Sequence, residues 1–222
     1  MNKRNYQKEM ENIIANECVD RKPTLLLHGC CAPCSSYCLE AISRYFDITM
    51  FYYNPIISSK EEFDKRVNEL YKLLRLNGLE KSVKVIVPEY NNLEFFEAVK
   101  GLENEPECGK RCYVCYELRL RKAGIEAKIR NFDFFTTTLS ISPHKNADWL
   151  NEIGERISKE MVDGPRYLPT DFKKKNGYKR SIEISKEYDL YRQDYCGCVY
   201  SKIQRDREKE LALKENALVE KD

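Results

Sequence analysis

The chain has 222 residues and a mass of 26.2 kDa, which fits one large domain or one domain with appendages. Lys and Arg number 38 against 36 Asp and Glu, and the formal net charge of +2 neither favours nor excludes a polyanionic partner. Hydrophobic residues make up 42%, which excludes a disordered chain, and no apolar run approaches the ~18 residues of a membrane span. The N-terminal residues lack the apolar core of a secretory signal, so we expect a cytoplasmic protein with no membrane partner.

Strand and helix patterns alternate along the chain. Apolar, β-branched or aromatic runs predict strands at 24–28, 47–53, 83–87, 131–142 and 167–169. Helical spacing predicts helices at about 1–20, 35–45, 59–76, 93–102, 116–131, 147–161 and 180–187, and a charged helix or frayed tail from 205. For the second helix, Ser35 or Ser36 is the expected N-cap, and Gly124 punctuates the fifth.

This alternation predicts an α/β fold, a Rossmann-like parallel sheet sandwiched by helices. Ligands of such sheets bind beyond the carboxyl ends of the strands, which places the loops at 29–35, 54–58 and 140–145 along one rim. We expect a helical leader at 1–22, a single α/β metalloenzyme domain at 23–201 and a charged helix or tail at 202–222.

Cysteine is the compositional outlier. The ten cysteines stand at 18, 30, 31, 34, 38, 108, 112, 115, 196 and 198. Cytosolic thiols stay reduced, and clustered cysteines there more often bind metal or do redox chemistry.

Three motifs supply the candidate ligands. HGCCAPC follows the first predicted strand, where a helix N-terminus stabilises thiolates; RCYVC is a second CxxC; and the glycine of CGC lets the backbone fold tightly around an ion. Their sulfurs belong to Cys30, Cys31, Cys34, Cys112, Cys115, Cys196 and Cys198. One tetrahedral site uses four sulfurs, so seven indicate a cluster plus a second function.

Two simpler interpretations stay open. A structural zinc would explain two CxxC pairs, although zinc ribbons keep their pairs ~15–20 residues apart, whereas the gaps here are 77 and 80 residues. A thioredoxin-like exchange motif would explain Cys31 and Cys34, but it leaves five further clustered cysteines without a place. Cys18 and Cys38 are interpreted as core or surface thiols, and Cys108 either joins the second pair or lies in a loop.

The stretches LLLHGCCAPCSS, RCYVCYELRL, FTTTLSISPHKN and DFKKKNGYKRSIEISKEYDLYRQDYCGCVYS together resemble the iron–sulfur epoxyqueuosine reductase family (QueH type), from about Thr24 to Ser201. The resemblance implies a fold similar to the adenine-nucleotide α-hydrolase-like group. It implies reductive removal of the epoxide oxygen of epoxyqueuosine at the wobble position of tRNA, with two electrons from an external electron donor, two protons and release of water. It further implies a 4Fe-4S cluster and an additional iron ion, with the seven cysteines as the ligand pool. The chain departs from the family pattern at Ile56, where we expect an asparagine, and at the additional Cys108.

Other residues receive candidate roles in this reaction. An iron with an open position would act as a Lewis acid on the epoxide oxygen. Asp194, Tyr195 and Tyr191 lie beside CGC as candidate proton donors, and Asp194 is alternatively a metal ligand. The simpler interpretation of Asp194 is a surface carboxylate paired with Arg192.

A basic run and the end of the fourth strand are candidate tRNA contacts. The candidates are Lys173, Lys174, Lys175, Lys179, Arg180, His144 and Lys145. The run is interleaved with Phe172 and Tyr178, one of which would stack on a splayed base while the cations grip phosphates. The alternatives are a solvated loop for the run and a helix N-terminus capped by Ser142 for the strand end. For the chain as a whole, the alternative to a redox enzyme is a zinc-stabilised RNA-binding module without redox activity.

Overall fold

The computed structural model describes residues 4–219, with side chains described through residue 213. The strands are β1 Thr24–His28, β2 Asp47–Phe51, β3 Lys84–Ile86, β4 Phe134–Thr137 and β5 Arg166–Tyr167. The α-helices are α1 Tyr6–Glu17, α2 Ala32–Ile42, α3 Lys60–Leu76, α4 Leu93–Ala98, α5 Lys110–Ile129, α6 Ala147–Glu160, α7 Gly177–Glu187 and α8 Val199–Val219. A 3-10 helix covers Thr138–Ile141. Positions 1–3 of the expected leader and 220–222 of the expected tail lie outside the described residues.

All five strands are parallel, in the order β3-β2-β1-β4-β5. The central strand β1 is buried on both faces because helices cover both sides of the sheet. Leu25 and Leu27 face a core completed by α2 and α3, and Leu26 faces a core completed by α5 and α6. The α/β sandwich predicted from the sequence is therefore confirmed, and the carboxyl end of β1 lies at the centre of the sheet edge.

At the opposite edge of the sheet, where the strands begin, an ion pair links the starts of β1 and β4. The Asp133 carboxylate accepts hydrogen bonds from both Nη atoms of Arg21 at 2.8 and 2.9 Å, and from the backbone nitrogen of Thr24 at 2.8 Å. The Arg21 guanidinium lowers the pKa of Asp133 well below its usual range. These contacts hold the start of β1 against the start of β4.

Several helix ends differ from the expected ones. The second helix begins at Ala32 with Cys31 as its N-cap, because Pro33 favours the first helical turn and Ser35 donates its hydroxyl hydrogen to the Cys31 carbonyl at 2.8 Å. The prediction of a Ser35 or Ser36 cap is therefore wrong. Asn146, not Ser142, caps α6 and accepts a hydrogen bond from the Trp149 backbone nitrogen at 3.2 Å.

The fifth helix is longer than predicted. It begins at Lys110, so the second CxxC lies inside it, and it continues through Gly124. At Gly124 the helix packs closely on α6, where an added Cβ would lie 3.0 Å from Ile157. The predicted fourth strand in turn ends at Thr137, and the rest of its apolar run forms the 3-10 helix. Among residues 4–219, no helix has the length and apolar character needed to cross a membrane.

Candidate metal centre

Three cysteines of the first motif lie together at the carboxyl end of β1. The sulfurs of Cys30, Cys31 and Cys34 are all within 4.8 Å of one another, and those of Cys30 and Cys31 are 3.9 Å apart. Over the part of the chain that the structure describes, this is the only group of three or more cysteine, histidine or acidic side chains close enough to share a metal ion. We call these three residues the β1 cysteine group.

The electrostatics of the β1 cysteine group suit a cation. Hydrogen bonds from Cys31 and Cys34, with the nearby positive charge of Arg119, lower the pKa of the Cys30 thiol. The interaction with Cys30 in turn raises the pKa of Cys31 to about 12, and it raises that of Cys34. Three sulfurs this close cannot all ionise beside one another unless a cation offsets their mutual repulsion.

The other two motifs form a second group around Cys196. Burial raises the pKa of Cys112 to about 11 and that of Cys198 to about 12, and the negative charge of Cys196 adds to both shifts. Burial and the same charge raise the pKa of Cys115. Cys112, Cys115, Cys196 and Cys198 are therefore electrostatic neighbours, although they are less tightly grouped than the first three. We call them the CxC cysteine group.

The CxC cysteine group depends on a glycine with an unusual backbone. Gly197 has φ +106°, and a Cβ there would lie 2.8 Å from Nη1 of Arg66. An isolated β-bridge pairs Cys198 with Ile57, which brings the CxC segment against the loop after β2. Ile56, which precedes this bridge and departs from the expected asparagine, is buried in the core.

One cleft of about 590 Å³ opens over the β1 cysteine group and Cys196. Its walls include all three residues of the β1 cysteine group, together with Cys108, Lys145 and Cys196. The first and last motifs thus meet at one cleft, and Cys112 and Cys115 of the middle motif lie near Cys196. Cys108, the additional cysteine, is exposed at this cleft and donates its thiol hydrogen to the His144 carbonyl at 3.1 Å.

Three polar residues beneath the cleft were missed by the sequence interpretation. Arg119 is 1% exposed, and its Nη2 donates to Asn54 Oδ1 at 2.6 Å. Asn54 Nδ2 donates to the Gly29 carbonyl at 2.8 Å. Burial lowers the pKa of His28 to about 3, and this neutral ring lies 3.0 Å from the Tyr53 carbonyl and 2.9 Å from the Thr137 hydroxyl. In a helix, Cys112, Cys115 and Arg119 share one face. This spacing was the sequence signal by which a role for Arg119 beside the cysteines could have been predicted.

Lys145 lies inside the site and not on an exposed surface. It is 7% exposed, and its Nζ lies 3.4 Å from a Glu107 carboxylate oxygen. Burial lowers the pKa of Lys145, but the interactions with Cys196, Tyr116 and Glu107 outweigh burial and raise the pKa above its ordinary value. The Lys145 ammonium therefore interacts with both Cys196 and the Glu107 carboxylate. His144, in contrast, is exposed at the cleft wall.

The three candidate proton donors occupy different places. Asp194 and Tyr195 line the cleft. An ion pair with Lys209 at 2.5 Å lowers the pKa of Asp194, so the partner is a C-terminal helix cation and not Arg192. Tyr191 donates its phenol hydrogen to Glu62 at 3.2 Å, outside the cleft lining.

The basic run is largely engaged with acidic neighbours. Lys173 lies 2.8 Å from Asp171, Lys175 lies 2.5 Å from Glu11, and Arg180 lies 2.8 Å from Glu40. The remaining pair, Lys174 and Lys179, is exposed.

The two aromatic residues of the run differ in exposure. Phe172 is fully buried and cannot stack on a base, which leaves Tyr178 as the candidate. Tyr178 lines the cleft.

Fold and site together define a Rossmann-like α/β protein with a cysteine-rich candidate metal centre at the carboxyl edge of its sheet. The family model described as "Epoxyqueuosine reductase QueH" matches residues 25–204. The chain belongs to the epoxyqueuosine reductase QueH family, and the resemblance drawn from its motifs is confirmed.

Similar proteins carry the same name. The chain is 43% identical over 182 residues to an epoxyqueuosine reductase QueH of Streptococcus pyogenes serotype M1, covering 81% of this chain and 71% of the relative. It is 40% identical over 206 residues to that of Staphylococcus epidermidis, covering 90% and 86%. Among solved structures, the U34-tRNA thiolase NcsA from Methanococcus maripaludis with its [4Fe-4S] cluster matches with a TM-score of 0.47 at 13% identity, covering 91% of this chain and 73% of that one.

Proposed function

We propose that this chain is an oxidoreductase that converts epoxyqueuosine to queuosine at the wobble position of tRNA. The observation that carries the proposal is that the first and last cysteine motifs meet at one cleft, with Cys112 and Cys115 near Cys196, in a chain whose relatives are named for this reaction. The zinc-stabilised RNA-binding alternative is not favoured, because those relatives are named as reductases.

The seven cysteines are the proposed ligands of a 4Fe-4S cluster and an additional iron ion. The three close sulfurs of the β1 cysteine group support a metal–thiolate centre, because they cannot all ionise without a cation between them. The buried cations Arg119 and Lys145 support it as well, because positive charge near a sulfur favours thiolate over thiol. The presence of two sulfur groups supports two metal sites. With iron bound, the chemistry supplied here is one-electron transfer from an external donor and Lewis-acid polarisation of the epoxide oxygen.

The chain itself supplies protons and positions the substrate. Loss of the epoxide oxygen as water takes up two protons, and the Tyr195 phenol at the cleft wall is a proposed donor. Asp194 is a carboxylate at neutral pH, because Lys209 holds its pKa low, so its proposed role is metal ligation or charge balance rather than proton donation. Tyr191 has no direct part in this proposal, since its phenol is committed to Glu62.

The cleft fits a single nucleoside and not a duplex. Its volume of about 590 Å³ lies within the ~300–1,000 Å³ of small-molecule sites. The wobble base belongs to a loop and can be splayed into such a cleft, with Tyr178 available to stack. Of the basic run, Lys174 and Lys179 are the proposed phosphate contacts, because both are exposed.

The test is anaerobic. Purified protein is assayed for iron, sulfide and zinc, then incubated with epoxyqueuosine-containing tRNA and a low-potential reductant, and the nucleosides are analysed by mass spectrometry. We expect brown protein that forms queuosine. Colourless protein with about one zinc, or iron-loaded protein that forms no queuosine, contradicts the proposal.

Two ligand variants and a control refine this test. Cys31→Ser and Cys196→Ser each remove one sulfur from a different cysteine group, and both should abolish colour or turnover. Cys18→Ser changes a thiol at the C-cap of α1 and should keep both. If both ligand variants retain full turnover, the ligand pool is misassigned.

A further inference from the structure

The guanidinium of Arg119 is buried without a carboxylate partner. Among residues 4–213, no acidic oxygen lies within ion-pair distance of it, and its close polar neighbours are Asn54 Oδ1 at 2.6 Å and His28 Nε2 at 3.3 Å. Both neighbours are uncharged, since burial keeps His28 neutral. A buried charge with no counter-charge is strongly unfavourable, so something else must balance Arg119.

The other buried cations near the cleft are balanced differently. Arg66 pairs with Glu62 at 2.7 Å, and Lys145 faces Glu107. Arg111 donates to the backbone carbonyls of the segment that precedes α5, including that of Glu103 at 2.9 Å. Arg119 alone of this set has neither a carboxylate nor a backbone carbonyl.

Cysteine sulfurs are the remaining groups near Arg119 that can carry a negative charge. Arg119 lines the same cleft as Cys30 and Cys196, and it forms a hydrogen bond with Cys115, one turn earlier on α5. Cys30 belongs to the β1 cysteine group, and Cys115 and Cys196 belong to the CxC cysteine group. The guanidinium therefore lies between the two groups and acts on both.

The position of Arg119 is fixed by the same residue that fixes the β1 loop. Asn54 accepts from Arg119 through Oδ1 and donates to the Gly29 carbonyl through Nδ2 at 2.8 Å. Gly29 precedes Cys30 directly. A planar guanidinium held in this way cannot swing out to solvent, so its charge acts on the sulfurs from one place.

We infer that Arg119 is the fixed counter-charge of the proposed iron–sulfur centre, a positioning residue that spans both cysteine groups and raises the reduction potential of the bound cluster. The inference rests on the proposed function, because it takes iron to be the group that the sulfurs hold. Reduction adds one electron to the cluster, and a fixed positive charge stabilises the more negative, reduced form. Arg119 thereby determines how strong a one-electron donor the enzyme requires.

The test compares three variants of the full chain loaded with iron anaerobically. Arg119→Gln removes the charge, Arg119→Lys keeps it, and Arg121→Gln removes a charge from the same helix where it pairs with Glu117 and Glu160 at the surface. Iron and sulfide are quantified, and the cluster is titrated with dithionite and mediators while its reduced form is followed by electron paramagnetic resonance.

Arg119→Gln should lower the equilibrium constant for one-electron reduction at least tenfold, which corresponds to 59 mV. Arg119→Lys should stay closer to the parent potential than Arg119→Gln, and Arg121→Gln should match the parent. Loss of iron by Arg119→Gln but not by Arg119→Lys would also support the inference. Of these two variants only the lysine keeps the positive charge, so the charge would be what the bound iron requires.

Three results would overturn it. They are a parental potential in Arg119→Gln, an equal fall in Arg119→Lys, or failure of both Arg119 variants to load iron, which would make the residue a structural requirement. These outcomes are separable from failure of the proposed function, because that failure appears in the parent protein as absence of iron or of queuosine formation.

Discussion

Replacing Gly197 by alanine should damage the metal centre more than the fold. The backbone at Gly197 has φ +106°, a region that costs an L-residue ~1–3 kcal/mol. The added Cβ would also lie 2.8 Å from Arg66 Nη1. Arg66 cannot easily move away, because it is 2% exposed and bonded to Glu62 at 2.7 Å. Overpacking of this kind costs a further ~1–3 kcal/mol.

Together the two effects disfavour the native CxC conformation by about 2–6 kcal/mol, which is about 30-fold or more in its population. The segment is held by the bridge to Ile57 and by a hydrogen bond from the Cys196 backbone nitrogen to Ser201 Oγ at 3.1 Å. We therefore expect it to rearrange locally, so that iron is lost to a chelator much faster while the urea midpoint of the metal-free protein changes little.

Gly78→Ala is the matched control. Gly78 has φ +72°, but an added Cβ there would have nothing within 4 Å, so only the backbone cost applies. Iron retention is measured by competition with a chelator, and stability by urea unfolding of both variants. If Gly197→Ala holds iron as tightly as Gly78→Ala does, the proposed role of the close approach to Arg66 is refuted.

Two further predictions concern the sheet edge and the basic run. Asp133→Asn should cost about 1 kcal/mol of unfolding free energy at pH 7 and less at pH 3, measured by urea unfolding at both. The sign follows because Arg21 lowers the folded-state pKa, so the stabilisation is complete above the unfolded value of ~3.9 and is lost as pH falls below it; an equal cost at both pH values would contradict it. The double variant Lys174→Gln, Lys179→Gln should weaken tRNA binding and reduce the slope of log binding constant against log salt concentration by up to ~2. Lys175→Gln should have a smaller effect, because Lys175 is already paired with Glu11. Equal effects of the two changes in a binding titration would contradict this distinction.

The sheet and the convergence of the cysteines were predictable from local pattern. Leu25, Leu26 and Leu27 form an apolar run too short for a helix and bounded by a glycine, which is typical of a buried parallel strand. Once the strands are parallel, the loops that follow them must share an edge. The position of the first cysteine motif at this edge, and the loops that form the edge, could therefore be predicted from periodicity and topology together.

The errors lie where burial depends on distant partners. Lys145 and Arg119 are residues of types that usually lie at the surface. Both are buried because groups distant in the sequence contact them, which are Glu107 and Cys196 for Lys145 and Asn54 for Arg119. Asn54 is 65 residues from Arg119 in the sequence. Phe172 lies in a polar run that gives no sign of its full burial. A one-dimensional pattern identifies which residues carry charge, but not which of them the folded chain encloses.

The proposed ligands extend from Cys30 at the cleft to Cys198 beside Cys196, which affects how the protein can be assembled. A growing polypeptide holds only part of the sulfur set until Cys198 has left the ribosome, by which time most of the chain has been synthesised. The sheet and both of its apolar cores must then form before any complete acceptor for iron exists. For the proposed iron centre, delivery of metal is thus a late event in maturation, and the cell must keep the finished apoprotein reduced until it occurs.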